Sequence, residues 1–570
     1  MTEGLSRQSG TRKSDSWAIV GLLLLAVGLP LAVSVLAGST QIPRNDDWSY
    51  RHIAVAMEST GGLILDGITE TMVVGQILLT QPLLWMFDAP VAFAIAGAVF
   101  AIAGILGAYA LTRQVLPIKL AVIAAGTLAI FPGYLAYSTS YMSDVPAMAA
   151  EFFCLTAGAL AVKARPVRTA WLVVAAVLGV LAFSIREFGI AAPVAVSVAA
   201  LCAEPRRRRH WVLGAVTVAS CVAIHLWRSS LAGQLPALAP MPAEISTSIL
   251  ALTSVAFVVL PAALVAAIRW RSFVRRKDVV IGLEIGAIVV GARIVQWVTG
   301  GGMPRMFINN VTSQFGVPSD GYLLGPRPLL FSDLVWVAAN LLALLAFVVV
   351  VGIGAGIAGV HLRRCRGSAR VFIVRLGSTM GVVTLFCLAV VAGLVVFGLT
   401  RNVYDRYYWP LVPPLAALLL FVPGDLTRIG RHARRPSDVV LGIGAIAAAA
   451  VLAIGSITYL LNSHAFDAAR WHAGEHLVQA GVPADRIDAG YEWRGYYASS
   501  QGDPTSGTIT YPFYRGWWPD FQECGIVSSD PAPPPGAVLV GTMTYKLHLV
   551  FGPTETIYLY RVDSPLCNAR

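Results

Sequence analysis

Two adjacent carboxylates stand out in the stretch Pro43-Arg44-Asn45-Asp46-Asp47-Trp48-Ser49-Tyr50. Asp46 and Asp47 follow the first apolar run by a few residues, which places them at the headgroup level of a membrane. Neighbouring carboxyls share a proton or hold one pKa high, and either arrangement supplies a general base. The same residues can equally cap a helix, because Asp ahead of Trp-Ser-Tyr is a good N-cap. His52 lies close by and reads as structural. A second acidic position occurs in Tyr137-Ser138-Thr139-Ser140-Tyr141-Met142-Ser143-Asp144-Val145-Pro146. Asp144 again sits at the edge of an apolar run, with Pro146 suited to a first helical turn. Arginines recur in Ser184-Ile185-Arg186-Glu187-Phe188-Gly189 and in Arg401-Asn402-Val403-Tyr404-Asp405-Arg406-Tyr407-Tyr408, with Arg305 and Arg327 in a loop between. A guanidinium there can bind phosphate through its forked donor set, pair with the Asp residues or contact a lipid headgroup.

The elements that position these residues are membrane helices. Of 570 residues, 56% are hydrophobic and only 13% charged, with a mean hydropathy of +0.69. A soluble chain carries about 25% charged residues. Apolar runs at 17–37, 91–112, 211–227, 247–268, 333–360, 376–400 and 439–461 are nearly free of charge, and a run of about 20 such residues spans a bilayer as a helix. The net charge of +11 does not indicate nucleic acid. Its arginines cluster between apolar runs, at Arg206 to Arg209, Arg269 to Lys277, Arg363 to Arg370 and Arg428 to Arg435, which is the positive-inside pattern.

With a basic cytoplasmic tail over 1–16, alternation along the chain predicts about thirteen spans in a unit covering 17–461. Every basic cluster then falls on one side. The first outer loop covers 38–88, with an interfacial helix over 64–87, and a long outer loop covers 299–331. An odd count puts residues 462–570 outside, where an amphipathic helix over 466–480 and strands at 538–540 and 556–562 predict a small α/β domain. Cys524 and Cys567 both fall in that tail, where an oxidising compartment would allow a disulfide. Cys154, Cys202, Cys221 and Cys387 lie in apolar runs as packing residues, and the cysteines form no metal-binding pattern. Short loops and an Ala/Val/Arg-rich composition point to a bacterial cytoplasmic membrane.

The order of these motifs resembles the GT-C glycosyltransferases: Asp-Asp in the first outer loop, Tyr-Met-Ser-Asp-x-Pro before the fourth span, Arg-Glu-x-Gly after the fifth, and Arg-Tyr-Tyr-x-Pro-x-x-Pro-Pro entering a late span. The branch it looks most like holds protein O-mannosyltransferases and the lipid A aminoarabinose transferase, and the resemblance covers about residues 17–425. It implies a transferase that takes a sugar from a polyprenyl-phosphate donor in the outer leaflet. The family's first-loop base matches Asp46 or Asp47, with Asp47 slightly favoured. Many relatives have Asp-Glu at this pair. The resemblance assigns Asp144 to substrate positioning or metal contact and Arg406 to the donor phosphate. Tyr141, Arg186, Glu187, Arg401 and Tyr407 are the accompanying substrate-binding candidates. A monophosphate leaving group requires no cofactor, although the carboxylates could hold a divalent cation. The acceptor could be a glycolipid, a wall polysaccharide or a protein.

Two other readings are open. A transporter or lipid-linked-sugar flippase would place ionisable residues near mid-membrane. Glu151, Glu284 and Arg293 are the candidates, without an internal repeat. A non-catalytic assembly subunit would need none of the site residues. The aromatic and Arg clusters at 491–497 and 511–518 suit sugar faces, the membrane interface or the core of a small domain.

Overall fold

The apolar runs become helices because a hydrocarbon layer leaves an open backbone group nothing to bond with. The computed structural model describes residues 14–233, 245–300, 314, 323–326, 331–365, 368–399, 403–424, 426, 436–498, 513–518, 520–547 and 554–568. The helices are α1 (Ser14–Ala37), α2 (Asp47–Thr60), α3 (Val74–Leu84), α4 (Ala89–Arg113), α5 (Ile118–Ala129), α6 (Pro132–Tyr137), α7 (Asp144–Lys163), α8 (Thr169–Ile185) and α9 (Ala191–Ala203). They continue with α10 (Arg208–Arg228), α11 (Ile245–Trp270), α12 (Arg276–Gly300), α13 (Asp333–Cys365), α14 (Ala369–Leu376), α15 (Thr379–Phe397), α16 (Val412–Leu420), α17 (Pro436–Gln479), α18 (Tyr491–Tyr497) and α19 (Pro565–Asn568).

Among the described residues, eight helices are long and apolar enough to cross a membrane: α1, α4, α7, α10, α11, α13, α15 and α17. Each of the thirteen expected spans meets a helix, but length and composition do not establish that number. The third span is broken at Phe131-Pro132 into α5 and α6. The twelfth is a 3-10 turn, Asp405–Leu411, followed by the nine residues of α16. The helix expected along the membrane surface over 64–87 is the shorter α3, one face of which is packed into protein while Leu78 and Leu79 on the other are exposed. Its Gln76 and Gln81 side chains are buried and donate to the carbonyls of Tyr141 (2.6 Å) and Ala54 (3.1 Å).

The ends of the helices differ in chemistry. One end is basic: Arg113 pairs with Asp15 (2.9 Å), Arg165 donates to the Gly377 carbonyl (2.9 Å), and Arg363 and Arg271 pair with Asp278 and Asp438. The other end carries the start of α2 and α7, the break after α8 and the turn before α16. The clusters over 206–209 and 269–277 lie at loops of the basic end, whereas the cluster at 428–435 lies outside the described residues.

The expected break between the last span and the tail helix is absent. α17 runs 44 residues without interruption and carries the chain directly into the tail. There β1 (Ile487–Asp488), β2 (Gly525–Ser528), β3 (Ala537–Lys546) and β4 (Thr554–Val562) form a sheet of order β1-β2-β4-β3. β1 and β2 are parallel, the other pairs are antiparallel, and the β3–β4 register shifts between Leu539 and Gly541. The sheet packs on the last turns of α17, and Cys524 is bonded to Cys567 with 5.3 Å between Cα atoms.

The 3-10 turn is anchored by Trp409. Its indole stacks edge-on to Phe131 (5.3 Å) and Tyr137 (5.5 Å), and a side-chain carbon on Gly133 would lie 2.2 Å from the ring. Gly133→Val therefore displaces Trp409 and the turn with it. The expected cost is about 1–3 kcal/mol, read as a lower thermal midpoint in detergent; an unchanged midpoint would contradict this packing.

Candidate active site

Asp46, Asp47 and Trp48 point in three directions. The chain reverses after α1 through Gly38 and then Asn45, both at positive φ (71° and 54°), a conformation Asn tolerates. Asn45 is held on both sides. Its N–H donates to Glu492 Oε1 (3.0 Å) and its Nδ2 donates to Tyr137 Oη (3.0 Å). α2 starts at Asp47, whose side chain is 0% exposed. One Asp47 oxygen accepts from the Tyr141 N–H (2.9 Å) and from Arg51 Nη2 (3.0 Å), and the other pairs with Arg51 Nε. Trp48 turns to the tail, where its ring meets Tyr491 (5.8 Å) and Trp518 (6.0 Å) and lies against Gly495.

Asp46 alone of the two carboxylates is open, its side chain 30% exposed. Oδ1 accepts from Tyr491 Oη (3.1 Å), and Oδ2 lies 3.8 Å from Arg406 Nη2. Burial among protein groups holds its carboxyl above the usual carboxylate range. Arg406 opposes that most strongly, followed by the Tyr491 hydrogen bond.

Asp144 opens α7 and is 4% exposed. Its Oδ1 pairs with Arg186 Nη1 (2.7 Å) and lies 4.0 Å from Arg406 Nε. Its Oδ2 has no hydrogen-bond partner among the described residues. Arg186 sits in extended backbone where α8 breaks, and it also donates to Ser143 Oγ (3.1 Å). Tyr407 lies under both guanidiniums, at 5.0 Å from Arg186 and 5.6 Å from Arg406. Arg406 is buried, yet its Nε and Nη1 have no hydrogen-bond partner among the described residues. Two Asp and two Arg thus share one end of the bundle, with donors left unspent.

Six of the sequence-predicted residues meet here as a group or in direct support: Asp46, Asp144, Arg186, Arg406 and Tyr407 in the cluster, and Asp47 beneath it. Arg51 and the Tyr141 backbone occupy the Asp47 oxygens, whereas Asp46 is partly exposed, an arrangement that favours Asp46 over Asp47 as the candidate base. The Tyr141 side chain is a core anchor rather than a contact group. Its hydroxyl donates to Thr80 Oγ1 (2.8 Å), and its ring packs on Phe93 (4.7 Å). Glu187 interacts with Arg186, Arg228 and His225 and is not among the groups around Asp46. Arg401, Arg305 and Arg327 lie outside the described residues.

Sequence reasoning missed a second polar cluster beside the first. Arg44 Nη2 pairs with Asp467 Oδ2 (3.0 Å) and donates to His464 Nδ1 (2.7 Å), while Arg470 Nη1 pairs with Glu492 Oε2 (3.0 Å). All five side chains are buried. Burial pushes the Glu492 carboxyl up to about 7, with Arg470 opposing. The available signal was the spacing of His464, Asp467 and Arg470, three residues apart on one helix face. Tyr50 was also missed; it is buried and lies within electrostatic range of Asp46, Arg186 and Arg406.

Among the described residues no three His, Cys, Asp or Glu side chains converge. Asp46 and Asp144 share Arg406 between them, and that guanidinium would repel a cation.

No protein-family model matches the chain, and no curated protein matches it. Several solved structures align with it at a distance. The oligosaccharyltransferase AglB from Archaeoglobus fulgidus, in complex with an inhibitory peptide and a dolichol-phosphate, is 19% identical with a TM-score of 0.42, over 87% of this chain. The chain spans only 61% of that enzyme's length. ArnT from Cupriavidus metallidurans, bound to undecaprenyl phosphate, is 13% identical with a TM-score of 0.44, over 96% of this chain and 99% of its own. Likenesses this distant carry no inference about activity or site residues.

The two carboxylates differ in what they hold up. Asp47→Ala leaves Arg51 buried without its partner, a loss of about 3–5 kcal/mol. Asp46→Asn keeps the Tyr491 contact and shifts stability by about 0.5 kcal/mol or less. Thermal unfolding of the two purified variants in detergent checks this; equal midpoints would contradict it.

Proposed function

We propose that the chain is an inverting glycosyltransferase that moves a sugar from a polyprenyl-phosphate donor to an acceptor hydroxyl. The observation that carries this reading is Arg406, buried beside Arg186: its Nε and Nη1 have no hydrogen-bond partner among the described residues, and its Nη2 lies 3.8 Å from the half-open carboxylate of Asp46. Guanidinium donors placed where a phosphate charge develops stabilise the transition state more than the ground state. Asp46 takes the proton of the acceptor hydroxyl. The oxygen attacks the anomeric carbon from the side opposite the phosphate, the carbon–oxygen bond to phosphate breaks, and Arg406 and Arg186 receive the negative charge. Asp144 keeps Arg186 in place.

A lipid-linked donor needs an apolar neighbour for its hydrocarbon chain. A cavity of about 260 Å³ lies between α11, α13 and α17, lined by Phe257, Phe331, Trp336, Leu342 and Leu452. Its Tyr459 also lies within electrostatic range of Arg44 and Asp405, at the site end of the bundle. The basic opposite end supports a cytoplasmic side there and a site on the outer face of the cell membrane. The Cys524–Cys567 disulfide supports an extracytoplasmic tail over 462–570.

Purified protein incubated with polyprenyl-phosphoryl mannose, arabinose or galactose tests the reading through release of polyprenyl phosphate. Asp46→Asn lowers the rate roughly 100- to 10,000-fold, and Arg406→Ala lowers it roughly 100- to 1,000-fold. Undiminished turnover by Asp46→Asn would overturn the assignment. With two guanidiniums serving the phosphate, EDTA leaves the wild-type rate unchanged; a loss restored by Mg²⁺ or Mn²⁺ would show that a cation takes part.

A further inference from the structure

We propose that the C-terminal tail is part of the active site, with Tyr491 as the positioning residue for Asp46. The proposal rests on the reading of Asp46 as the base. Two consecutive tail residues hold two consecutive loop residues: Tyr491 Oη donates to Asp46 Oδ1 (3.1 Å), and Glu492 Oε1 accepts from the Asn45 N–H (3.0 Å). Neither contact is incidental to the tail's packing. Tyr491 begins α18 directly after Gly490, which adopts φ 98°. Its ring is fixed by Trp48 (5.8 Å), Trp517 (5.6 Å) and Tyr514 (6.1 Å). Glu492 is fixed by Arg470 (3.0 Å), and Arg470 also donates to the Ala489 carbonyl (2.9 Å).

The clamp decides where the Asp46 carboxylate sits. Without the phenol, the nearest partner left among the described residues is Arg406, 3.8 Å away. The carboxylate would then close on Arg406 Nη2 and draw the guanidinium away from a phosphate. Tyr491 holds base and phosphate clamp apart, and its hydrogen bond stabilises the ionised form that accepts a proton. The other groups facing Asp46 are Arg406, Arg186, Asp144 and the phenols of Tyr50, Tyr137 and Tyr404.

The test is an infrared difference titration of the full-length protein in detergent, with the Asp46 carboxyl band assigned by its loss in Asp46→Asn. Tyr491→Phe keeps the ring and removes only the hydroxyl. Because that hydroxyl favours the charged carboxylate, its loss moves the Asp46 protonation midpoint to higher pH. Site-specific 3-fluorotyrosine at 491, a stronger donor, moves it to lower pH. Tyr514→Phe removes a neighbouring hydroxyl that donates to Asp488 (2.9 Å) and leaves the midpoint in place. An unchanged midpoint in a folded Tyr491→Phe protein, or equal shifts in Tyr491→Phe and Tyr514→Phe, would overturn the proposal. In turnover of the same donors, Tyr491→Phe lowers the rate roughly 3- to 10-fold, and the acid limb of the pH–rate profile moves with the midpoint. A shifted midpoint with no change in that limb would retain the contact and refute Asp46 as the base.

Discussion

The site depends on one buried contact, the Asp47 carboxylate held between Arg51 and the Tyr141 backbone. It joins the first turn of α2 to the loop before α7, across 94 residues of sequence. A buried charge is tolerated only when paired and hydrogen-bonded, and both conditions are met by groups that cannot move independently. Arg51 is one helical turn further along α2, and its other arm donates to the Gln41 carbonyl (2.8 Å). With Asp47 spent in this way, its neighbour Asp46 is carried to the opposite side, next to Asp144 and the arginines. One carboxylate sets the geometry in which the other can act.

The cluster above that contact is balanced in charge but not in hydrogen bonds. Asp46 and Asp144 offset Arg186 and Arg406 in charge. Arg406 Nε and Nη1 nevertheless have no hydrogen-bond partner among the described residues, although Nε lies 4.0 Å from Asp144; an unsatisfied buried donor costs of the order of 1–3 kcal/mol. On the proposed reading, an anion would complete such groups on binding. Tyr407 beneath both guanidiniums fixes their planes through cation–π contact. Preorganised donors in a water-poor setting act more strongly than the same groups in water.

Much of the scaffold was legible because the membrane constrains it. Each apolar run became a helix, and the segments carrying Asp46, Asp144, Arg186 and Arg406 met at one end, as alternation of spans requires. Other features were hidden for physical reasons. Asp46 and Asp47 differ by one position, and their roles are divided by partners far away in the chain, Tyr141 for one and Tyr491, 445 residues on, for the other. Gln76 and Gln81 interrupt the apolar run of α3, and their bonds to carbonyls inside the protein were not legible in it. The end of the last span looked like a boundary because His464, Asp467 and Arg470 interrupt its apolarity. They instead form the buried face through which α17 reaches the first loop and the tail.

The most direct measurement is the product formed from a polyprenyl-phosphoryl sugar carrying ¹³C at the anomeric carbon. Nuclear magnetic resonance reads both the configuration at that carbon and the amount of product. Attack by an acceptor oxygen deprotonated by Asp46 predicts inverted configuration with the wild-type protein and little or no product with Asp46→Asn. Retained configuration, or wild-type yield from Asp46→Asn, would contradict the account.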